Sequence, residues 1–396
     1  MGALDFDFDV AVVGAGPAGA TAARHLARGG LSVALIEACS IPRYKTCGGG
    51  LVQRARRALG PDFAGAGTIE RECRTIELRF GTSGRSFLVR REEPIVTMTM
   101  RDALDARLVR LAAEAGVRVL PSLAVESLRD AGGSVELGTA RGTLVAGHVV
   151  AADGVNSSLA RAAGWRASPA VAPALECEVR VDRASFERLA GQARFDVDTP
   201  PGGYAWVFPK RAHLSIGLLR TRRGRFDLKA ALRRYLEQLE VRSVESVEQH
   251  GATIPLAPRP GGSARGRVLL VGDAAGFADP ITAEGIGPAI ESARLAADAL
   301  LAGAPAGAGE RYQRALAATL LPELRAARRL ARLLYRHRRA RDLLFRWRGP
   351  ELAEAMTDVV MGERTYRGLL GSPASYAHLV RGTGERRRPL RTSARS

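Results

Sequence analysis

The sequence predicts an α/β fold with an inserted antiparallel sheet and a helical C-terminal region. A strand, a glycine-rich turn, a helix and a second strand follow one another in residues 9–37. Farther along the chain, another buried strand leads into a long helix within residues 268–301. Between these parts lie short stretches typical of antiparallel strands, such as Thr75 to Phe80 and Ala174 to Val181. Strands that alternate with helices favour a parallel sheet, and the intervening strands favour a separate layer.

The composition is that of a folded protein with an unusual charge. Of 396 residues, 46% are hydrophobic and 25% charged, which excludes a disordered or collagen-like chain. The net charge is +18, and all but three of the 59 basic residues are arginine. Such a charge first suggests nucleic acid or an anionic membrane as partner. Residues 311–396, however, hold 20 arginines and seven acids, so +13 of the charge lies in the C-terminal region.

Several signals are absent from the sequence. No apolar window is long enough to predict a membrane span, and the acidic stretch from Met1 to Asp9 does not resemble a signal peptide. The four cysteines form no CxxC pair, and six scattered histidines show no metal-binding spacing. We therefore expect a cytoplasmic protein with reduced thiols and no metal site.

The N-terminal segment carries a dinucleotide-binding pattern. The apolar strand Asp9 to Val13 leads into the GxGxxG turn of residues 14–19. A helix from Ala20 to Gly29 and a strand from Ser32 to Ile36 follow, and Glu37 ends the second strand. A GxGxxG motif in this strand–helix–strand context predicts a Rossmann-type site.

The residue types in this motif have separate physical reasons. Gly14 allows the tight turn, Gly16 lets the backbone approach a pyrophosphate, and Gly19 lets the helix lie close to the strand. The helix N-terminus faces the phosphate charge. The carboxylate of Glu37 can accept hydrogen bonds from ribose hydroxyls. The motif alone leaves open whether the dinucleotide is FAD or NAD.

Three further segments extend the pattern. Arg101 opens a helix near its positive end, where an arginine favours an anion ligand. Asp153 lies in a turn between a strand and a helix. The buried strand Val268 to Val271 ends in Gly272 and Asp273, followed by a glycine-rich stretch and a helix from Pro288. A strand, an aspartate and a glycine-rich helix start can hold polyol hydroxyls and a second phosphate.

Residues 9–37, 97–108, 152–161 and 268–301 resemble the four flavin motifs of FAD-dependent oxidoreductases with the para-hydroxybenzoate hydroxylase fold. The resemblance implies FAD as cofactor. It implies pyrophosphate, ribose, phosphate and ribitol contacts, together with backbone contacts to the isoalloxazine ring, at Gly14, Gly16, Ala18, Gly19, Glu37, Arg101, Asp153, Asp273, Gly285 and Ile286. One departure is Ala283, where the family usually has glycine.

Two segments are more selective. The loop Pro42 to Leu51 contains Cys47-Gly48-Gly49-Gly50, whose glycines permit close contact with a flat ring. We expect Cys47, Gly48 and Gly49 beside the flavin, with Arg43 and Lys45 favouring the Cys47 thiolate. In the strand Gly203 to Pro209 the aromatic residues alternate and therefore face one side. The next strand, Leu214 to Leu218, is expected to pair with it.

This pair of segments resembles the geranylgeranyl reductase family. The resemblance implies hydrogenation of unactivated C=C bonds of a polyprenyl chain by reduced FAD. It also implies that Cys47 lies at the active site, as first candidate for the proton donor, with Tyr204 second. The expected substrate-binding residues are Tyr204, Trp206, Phe208 and Gly217. No second GxGxxG exists, so the reductant is left open between NAD(P)H and a ferredoxin-type donor.

Two other interpretations compete with a prenyl reductase. The first is an FAD-dependent monooxygenase or halogenase of the same fold, which would require oxygen. The second is a basic nucleic-acid-binding protein, whose affinity would fall steeply with salt. A nucleic-acid-binding protein would account for the C-terminal charge but not for the flavin motifs. No nucleic acid partner is therefore expected.

We expect a discontinuous Rossmann-type FAD-binding domain, an inserted antiparallel-sheet substrate domain and a helical, basic C-terminal region. Their residues are 1–75, 101–170 and 250–308 for the first, 76–100 and 171–249 for the second, and 309–396 for the third. In the third, a helix from Pro322 to about Ala340 has arginines on one face and apolar residues on the other. Its arginines suggest docking on an anionic membrane, and hence a peripheral position on the inner face of the cytoplasmic membrane.

Overall fold

The structure is a computed structural model that describes residues 7–64, 67–81, 84–222, 224–241, 244–303 and 306–371. The strands are, in chain order, β1 (Asp7–Val13), β2 (Val33–Ile36), β3 (Gly50–Val52), β4 (Arg71–Cys73), β5 (Thr75–Phe80), β6 (Arg85–Arg90), β7 (Val96–Met98), β8 (Arg118–Leu120), β9 (Val125–Asp130), β10 (Val135–Thr139), β11 (Gly142–Ala151), β12 (Val171–Val181), β13 (Ala193–Val197), β14 (Gly203–Pro209), β15 (Leu214–Arg220), β16 (Val244–Pro255), β17 (Ala264–Arg265) and β18 (Val268–Leu270). The helices are α1 (Pro17–Arg28), α2 (Gln53–Leu59), α3 (Arg101–Glu114), α4 (Ser158–Ala162), α5 (Arg183–Leu189), α6 (Leu228–Gln238), α7 (Gly272–Ala275), α8 (Ile286–Leu301), α9 (Ala308–Ala318), α10 (Leu320–Arg336), α11 (Arg338–Met361) and α12 (Tyr366–Gly371).

The first sheet has the order β17-β18-β11-β1-β2-β8 and is parallel from β18 to β8. The strands β9 and β10 extend it as an antiparallel meander on β11. Residues 10–13 of β1 and all of β2 are continuous apolar runs, which is typical of parallel strands covered by helices on both faces. The α/β fold class, the first βαβ unit and the start of α3 at Arg101 are confirmed.

The second sheet has the order β16-β12-β15-β14-β13-β5-β6 and is antiparallel except between β13 and β5. Alternate side chains of β14 face opposite sides of this sheet. Ala205 and Val207 pack with α6, whereas Tyr204, Trp206 and Phe208 face the other way. β16 continues to Pro255, past the expected domain boundary at 249/250. A third, smaller sheet has the order β3-β7-β4.

The C-terminal helices pack on the aromatic face of the second sheet. Leu334 and Tyr335 of α10 and Phe345 of α11 belong to the same apolar cluster as Trp206. The side chain of Arg341 is fully buried and pairs with Asp198. The described part of the region is therefore a structural layer on the second sheet, and its positive charge is partly internal. Residues 1–6 and 372–396 of the expected domains lie outside the described residues.

The basic helix differs from its prediction at both ends, and α10 begins at Leu320. α10 ends at Arg336, because His337 has a non-helical backbone conformation, and α11 begins at Arg338. Arg339 therefore lies on the next helix. On α10 itself, Arg325, Arg328, Arg329, Arg332 and Arg336 are exposed, and the opposite face is buried. Within the described ranges, no helix is long and apolar enough to cross a membrane.

Candidate active site

The three glycines of the N-terminal turn meet different surroundings. A Cβ on Gly14 would lie 2.4 Å from the Ala152 carbonyl oxygen, and a Cβ on Gly19 would lie 1.8 Å from the Gly14 oxygen. These two glycines are required by the protein's own packing. A Cβ on Gly16 would meet no atom closer than 3.7 Å, and the nearest groups are the guanidinium groups of Arg101 and Arg43. The open space at Gly16, between a helix N-terminus and two cations, fits a pyrophosphate.

The two cations are oriented by buried carboxylates. Asp105, one turn after Arg101, accepts two hydrogen bonds from it at 2.9 Å and a further one from Arg43 at 3.0 Å. Arg43 also donates to Glu37 at 3.0 Å, and the same carboxylate accepts the backbone N–H of Ala15 at 2.9 Å. Burial opposes the charge of Glu37, but Arg43 and the backbone N–H groups lower its pKa.

The positions of Arg43 and Asp105 were not predicted. Arg43 was expected beside the Cys47 thiol, and it instead pairs with Glu37 and Asp105. The cation that contacts Cys47 is Arg101. Burial alone would lower the pKa of Arg101, but Asp105 and Cys47 raise it. Asp105 had a signal in the sequence, because it stands four residues after Arg101 on the same helix face.

The two aspartates at the remaining motifs lie in different surroundings, and one of them has an unsatisfied acceptor. The Oδ1 atom of Asp153 is buried and lacks a hydrogen-bond partner among the described residues. Its Oδ2 atom accepts the backbone N–H of Leu159 at 3.3 Å. Burial raises the pKa of Asp273, whose carboxylate would lie 3.1 Å from a Cβ on Gly285. Buried acceptors of this kind are normally paired, and the hydroxyls of a ribityl or ribose group would pair them.

A buried lysine holds the glycine loop. The ammonium group of Lys210, which is 0% exposed, donates to the carbonyl oxygens of Gly48 at 2.7 Å and Thr99 at 2.9 Å. The backbone N–H of Gly49 donates to the Cys47 sulfur at 3.4 Å. Gly49 has φ +66°, and a Cβ there would lie 2.0 Å from the Thr99 oxygen. Lys210 thus ties the Cys47 loop to the start of α3.

The aromatic residues of β14 line a wall beside this loop. Tyr204, Trp206 and Phe208 are spaced 6.1 Å apart between neighbouring ring centres. A Cβ on Gly48 would lie 2.9 Å from the indole nitrogen of Trp206, so the glycine brings the loop against the wall. Gly217 lies beneath the indole, where a Cβ would be 2.2 Å from its Cζ2 atom. Gly217 therefore makes room for Trp206.

Three tyrosines from different elements hold the segment before α8. The hydroxyl of Tyr204 donates to the Thr282 carbonyl, and that of Tyr335 donates to the Ile281 carbonyl at 2.5 Å. Tyr366 of α12 donates to Asp279 at 2.8 Å. Ala283 within this segment has φ +54°, a conformation that glycine adopts more easily. The C-terminal tyrosines were missed by sequence reasoning because no local pattern marks them.

A pair of buried carboxyls lies on the same face of the sheet as Trp206. Glu176 and Glu178 of β12 stand two residues apart, and Ser215 donates to Glu176 at 3.0 Å. Burial and the neighbouring Glu178 raise the pKa of Glu176 to about 8. This pair also had a signal in the sequence, since two glutamates interrupt the apolar part of β12.

One cavity of about 660 Å³ joins these parts. It is lined by every predicted cofactor and substrate residue except Gly19 and Gly217. Its cofactor end holds Gly14, Gly16, Ala18, Glu37, Arg101, Asp153, Asp273, Gly285 and Ile286, and its loop side holds Cys47, Gly48 and Gly49. Its apolar end holds Tyr204, Trp206 and Phe208 together with Leu334, Tyr335, Met356, Val360 and Tyr366 of the C-terminal helices.

The sequence matches a family described as the FAD binding domain over residues 7–313. It is 33% identical over 314 residues to digeranylgeranylglycerophospholipid reductase 2 of Methanothermobacter thermautotrophicus, covering 74% of this chain and 77% of that protein. It is 30% identical over 349 residues to the menaquinone reductase of Mycolicibacterium smegmatis, covering 82% of this chain and 84% of that protein.

Two solved structures share the fold. A geranylgeranyl bacteriochlorophyll reductase-like protein from Thermoplasma acidophilum has a TM-score of 0.75 at 23% identity, over 96% of both chains. A flavin-dependent brominase has a TM-score of 0.71 at 19% identity, over 90% of this chain and 94% of that one. At these identities the likeness concerns the fold alone.

Proposed function

The chain belongs to the geranylgeranyl reductase family of FAD-dependent oxidoreductases, and we propose that it saturates C=C bonds in the polyprenyl chain of a lipid, quinone, pigment or diphosphate. The observation that carries the proposal is the continuity of the cavity. One end is polar and surrounds Gly16 and Asp273, and the other is an apolar chamber lined by Trp206 and Tyr335. A prenyl chain in the chamber would reach the space in which the cofactor ends.

The residues of the polar end fit FAD. The open space at Gly16 would take the pyrophosphate. The ribityl and ribose hydroxyls would donate hydrogen bonds to the unpaired oxygen of Asp153 and to the carboxylate of Asp273. Glu37 would accept from the adenosine ribose. Bound and reduced FAD supplies the hydride equivalent for one carbon of the double bond.

The apolar end would exclude water from the reacting bond. Reduction of an unactivated alkene by hydride and proton develops positive charge on carbon, and water would capture that charge. Trp206, Phe208 and Tyr335 surround the chamber with aromatic faces. Each such face can stabilise a cation by roughly 0.5–2 kcal/mol. We assign the walls of the chamber to substrate binding and the Cys47 loop to the junction with the cofactor.

The source of electrons is a separate question. The fold offers one GxGxxG site, which FAD would occupy, so a nicotinamide would bind without its own Rossmann motif. NAD(P)H could reduce the flavin in this way, and a ferredoxin-type donor would need no nucleotide site at all. Stopped-flow reduction of the bound flavin by NADH, by NADPH and by reduced ferredoxin distinguishes them.

The proposed reaction is tested without oxygen. The purified protein, loaded with FAD and reduced by dithionite, is incubated with geranylgeranyl diphosphate, a digeranylgeranyl glycerophospholipid and menaquinone. We expect reoxidation of the flavin by one of these and a product heavier by two hydrogens for each saturated bond. Products that form only with oxygen and gain an oxygen atom or a halogen would instead indicate a monooxygenase or halogenase, the rival that the brominase-like fold keeps open.

We also propose that the C-terminal layer docks on an anionic membrane. The exposed arginines of α10 are followed along the chain by the exposed apolar side chains of Leu343, Leu344 and Trp347 on α11, and Trp347 is 72% exposed. Arginines that meet lipid phosphates beside an exposed tryptophan suit a bilayer interface. A membrane-embedded prenyl substrate would be reached from such a position.

Flotation with vesicles tests the docking. We expect the protein to float with phosphatidylglycerol vesicles and to remain behind with phosphatidylcholine vesicles. Replacing Arg325, Arg328, Arg329 and Arg332 with glutamine should abolish flotation, and replacing exposed Arg183 on α5 should not. Equal flotation with both vesicle types would contradict electrostatic docking.

A further inference from the structure

Strand β12 carries two carboxyl groups on the face that also carries the aromatic wall. Leu175, Cys177 and Val179 point toward α6, so the alternate residues Glu176 and Glu178 point to the opposite face. Glu176 is 1% exposed. Burying a carboxyl group on a sheet is costly and contributes little to stability, so its place in an apolar strand calls for a chemical reason.

The register of the sheet brings Glu176 next to the tryptophan of the wall. Glu176 is directly opposite Gly217 on β15, and Gly217 is directly opposite Trp206 on β14. Because Gly217 has no side chain, the indole of Trp206 lies across it. The indole nitrogen is 3.5 Å from the Ser215 hydroxyl, which donates to Glu176 at 3.0 Å. Glu176 also lines the cavity.

A row of neighbouring ionisable groups leads from Glu176 toward the solvent. Its neighbour Glu178 pairs with the imidazole of His213 at 2.9 Å. His213 lies in the β14–β15 turn, and its side chain is 18% exposed. Neither Glu178 nor His213 lines the cavity. Glu176 is thus the inner end and His213 the outer end of this row of ionisable groups.

The charges around the pair place the proton on the inner carboxyl. Burial and Glu178 raise the pKa of Glu176 to about 8, against the opposing effects of Ser215 and Lys210. Burial also acts on Glu178, but His213 and Lys210 lower its pKa. The other titratable groups that face the pair from neighbouring elements are Tyr44 and Cys47 of the glycine loop, and Glu248 and His250 of β16.

The two proton donors suggested by the sequence, Cys47 and Tyr204, are less suited to protonating a double bond. The hydroxyl of Tyr204 is already donated to the Thr282 carbonyl, and burial with nearby carboxylates raises its pKa. The sulfur of Cys47 accepts from the Gly49 N–H and contacts the Arg101 guanidinium. The Cys47 sulfur is therefore already engaged by the loop backbone and by Arg101.

We propose that Glu176 is the acid that protonates the substrate double bond, and that Glu178 and His213 return a proton to it from solvent. The inference rests on the proposed reductase function. In the step, the alkene π pair takes the proton of the Glu176 carboxyl, and the other carbon takes a hydride from reduced FAD. The alkene becomes CH–CH, the cofactor is oxidised by two electrons, and Glu176 is left as a carboxylate. A proton from solvent, through His213 and Glu178, restores it.

The kinetic test uses holoenzyme reduced without oxygen and mixed with geranylgeranyl diphosphate, digeranylgeranyl glycerophospholipid or menaquinone. In wild type we expect the rate of flavin reoxidation to fall above about pH 8. E176Q should lower the rate by about 10²–10⁴-fold and remove this pH dependence. E178Q removes the like charge, so the fall should move to lower pH. The control E187Q changes an exposed glutamate of α5 and should match wild type.

A second measurement does not depend on turnover. Infrared spectra of the protein without substrate should show the C=O stretch of a protonated carboxyl at pH 7. The band should titrate near pH 8, disappear in E176Q and persist in E187Q. A wild-type rate in E176Q, or a band that E176Q leaves unchanged, overturns the proposal. If wild type reduces none of the three prenyl compounds, the reductase function and the donor role are both rejected. If wild type is active and E176Q is slow, the reductase function and the donor role are both supported. If wild type and E176Q are equally active, only the donor role is rejected.

Discussion

Gly16 allows a test of the cofactor site that separates ligand binding from folding. In G16A the new methyl group would meet nothing closer than the Arg101 guanidinium at 3.7 Å. The backbone at Gly16 has φ −76° and ψ −174°, which alanine adopts without strain. The methyl would instead occupy the space assigned to the pyrophosphate. We expect G16A to fold like wild type and to bind FAD weakly.

The two free-energy changes can be estimated separately. In the apoprotein, alanine at the N-cap of α1 should lower the free energy of unfolding by about 0.5–1 kcal/mol relative to glycine. Alanine also restricts the unfolded chain, which should raise the free energy of unfolding by about 0.4–1 kcal/mol. The net change in the free energy of unfolding should stay within about 1 kcal/mol. In the complex, a methyl forced into a packed contact costs about 1–3 kcal/mol. That corresponds to a loss of FAD affinity of about 5- to 150-fold.

Urea unfolding of the apoprotein and quenching of FAD fluorescence measure the two quantities. G19A is the matched control, since its methyl would lie 1.8 Å from the Gly14 carbonyl oxygen. G19A should lose at least about 2 kcal/mol of apoprotein stability. If G16A binds FAD within twofold of wild type, or destabilises the apoprotein as much as G19A does, the pyrophosphate does not lie at Gly16.

Three further predictions concern the substrate side. G217A should lower the free energy of unfolding by about 1–3 kcal/mol, since its methyl meets the Trp206 indole; the smaller ring of W206F should recover part of this loss in a double-mutant cycle, and strict additivity would contradict the contact. K210M should cost about 2–4 kcal/mol in urea unfolding and weaken FAD binding, because it leaves the Gly48 and Thr99 carbonyls without their donor; stability equal to wild type would be inconsistent with that contact. The pKa of Glu176, raised from 4.5 to about 8, gives a stabilisation that is present below pH 4.5 and lost as the pH rises to 8. Thermal unfolding should therefore show wild type losing stability relative to E176Q over this range, and parallel curves would argue against a protonated Glu176.

Much of the cofactor side could be predicted because its signals are local. The glycine turn at residues 14–19 and the carboxylate of Glu37 lie within one βαβ unit, where spacing determines geometry. The alternation in β14 likewise determined that Tyr204, Trp206 and Phe208 share a face. These inferences needed no knowledge of how distant segments meet.

The unpredicted features depend on contacts between distant segments. Lys210 holds the loop at Gly48, 162 positions earlier in the chain, and no local period indicates such a bond. It was nevertheless visible as one of three lysines in a chain that otherwise uses arginine. The contribution of Tyr366 to the segment at Asp279 had no visible signal, because it arises from the packing of the C-terminal helices.

The C-terminal layer has a consequence for how this enzyme could diversify. The far end of the cavity is closed by Leu334, Tyr335, Met356, Val360 and Tyr366, all beyond the residues that match the FAD family. Substitutions of Leu334, Met356 or Val360 would change the shape of the apolar end, whereas Tyr335 and Tyr366 also hold the segment before α8. Part of the apolar end therefore lies in a stretch of sequence separate from the glycine-rich motifs, and that part can vary independently of them.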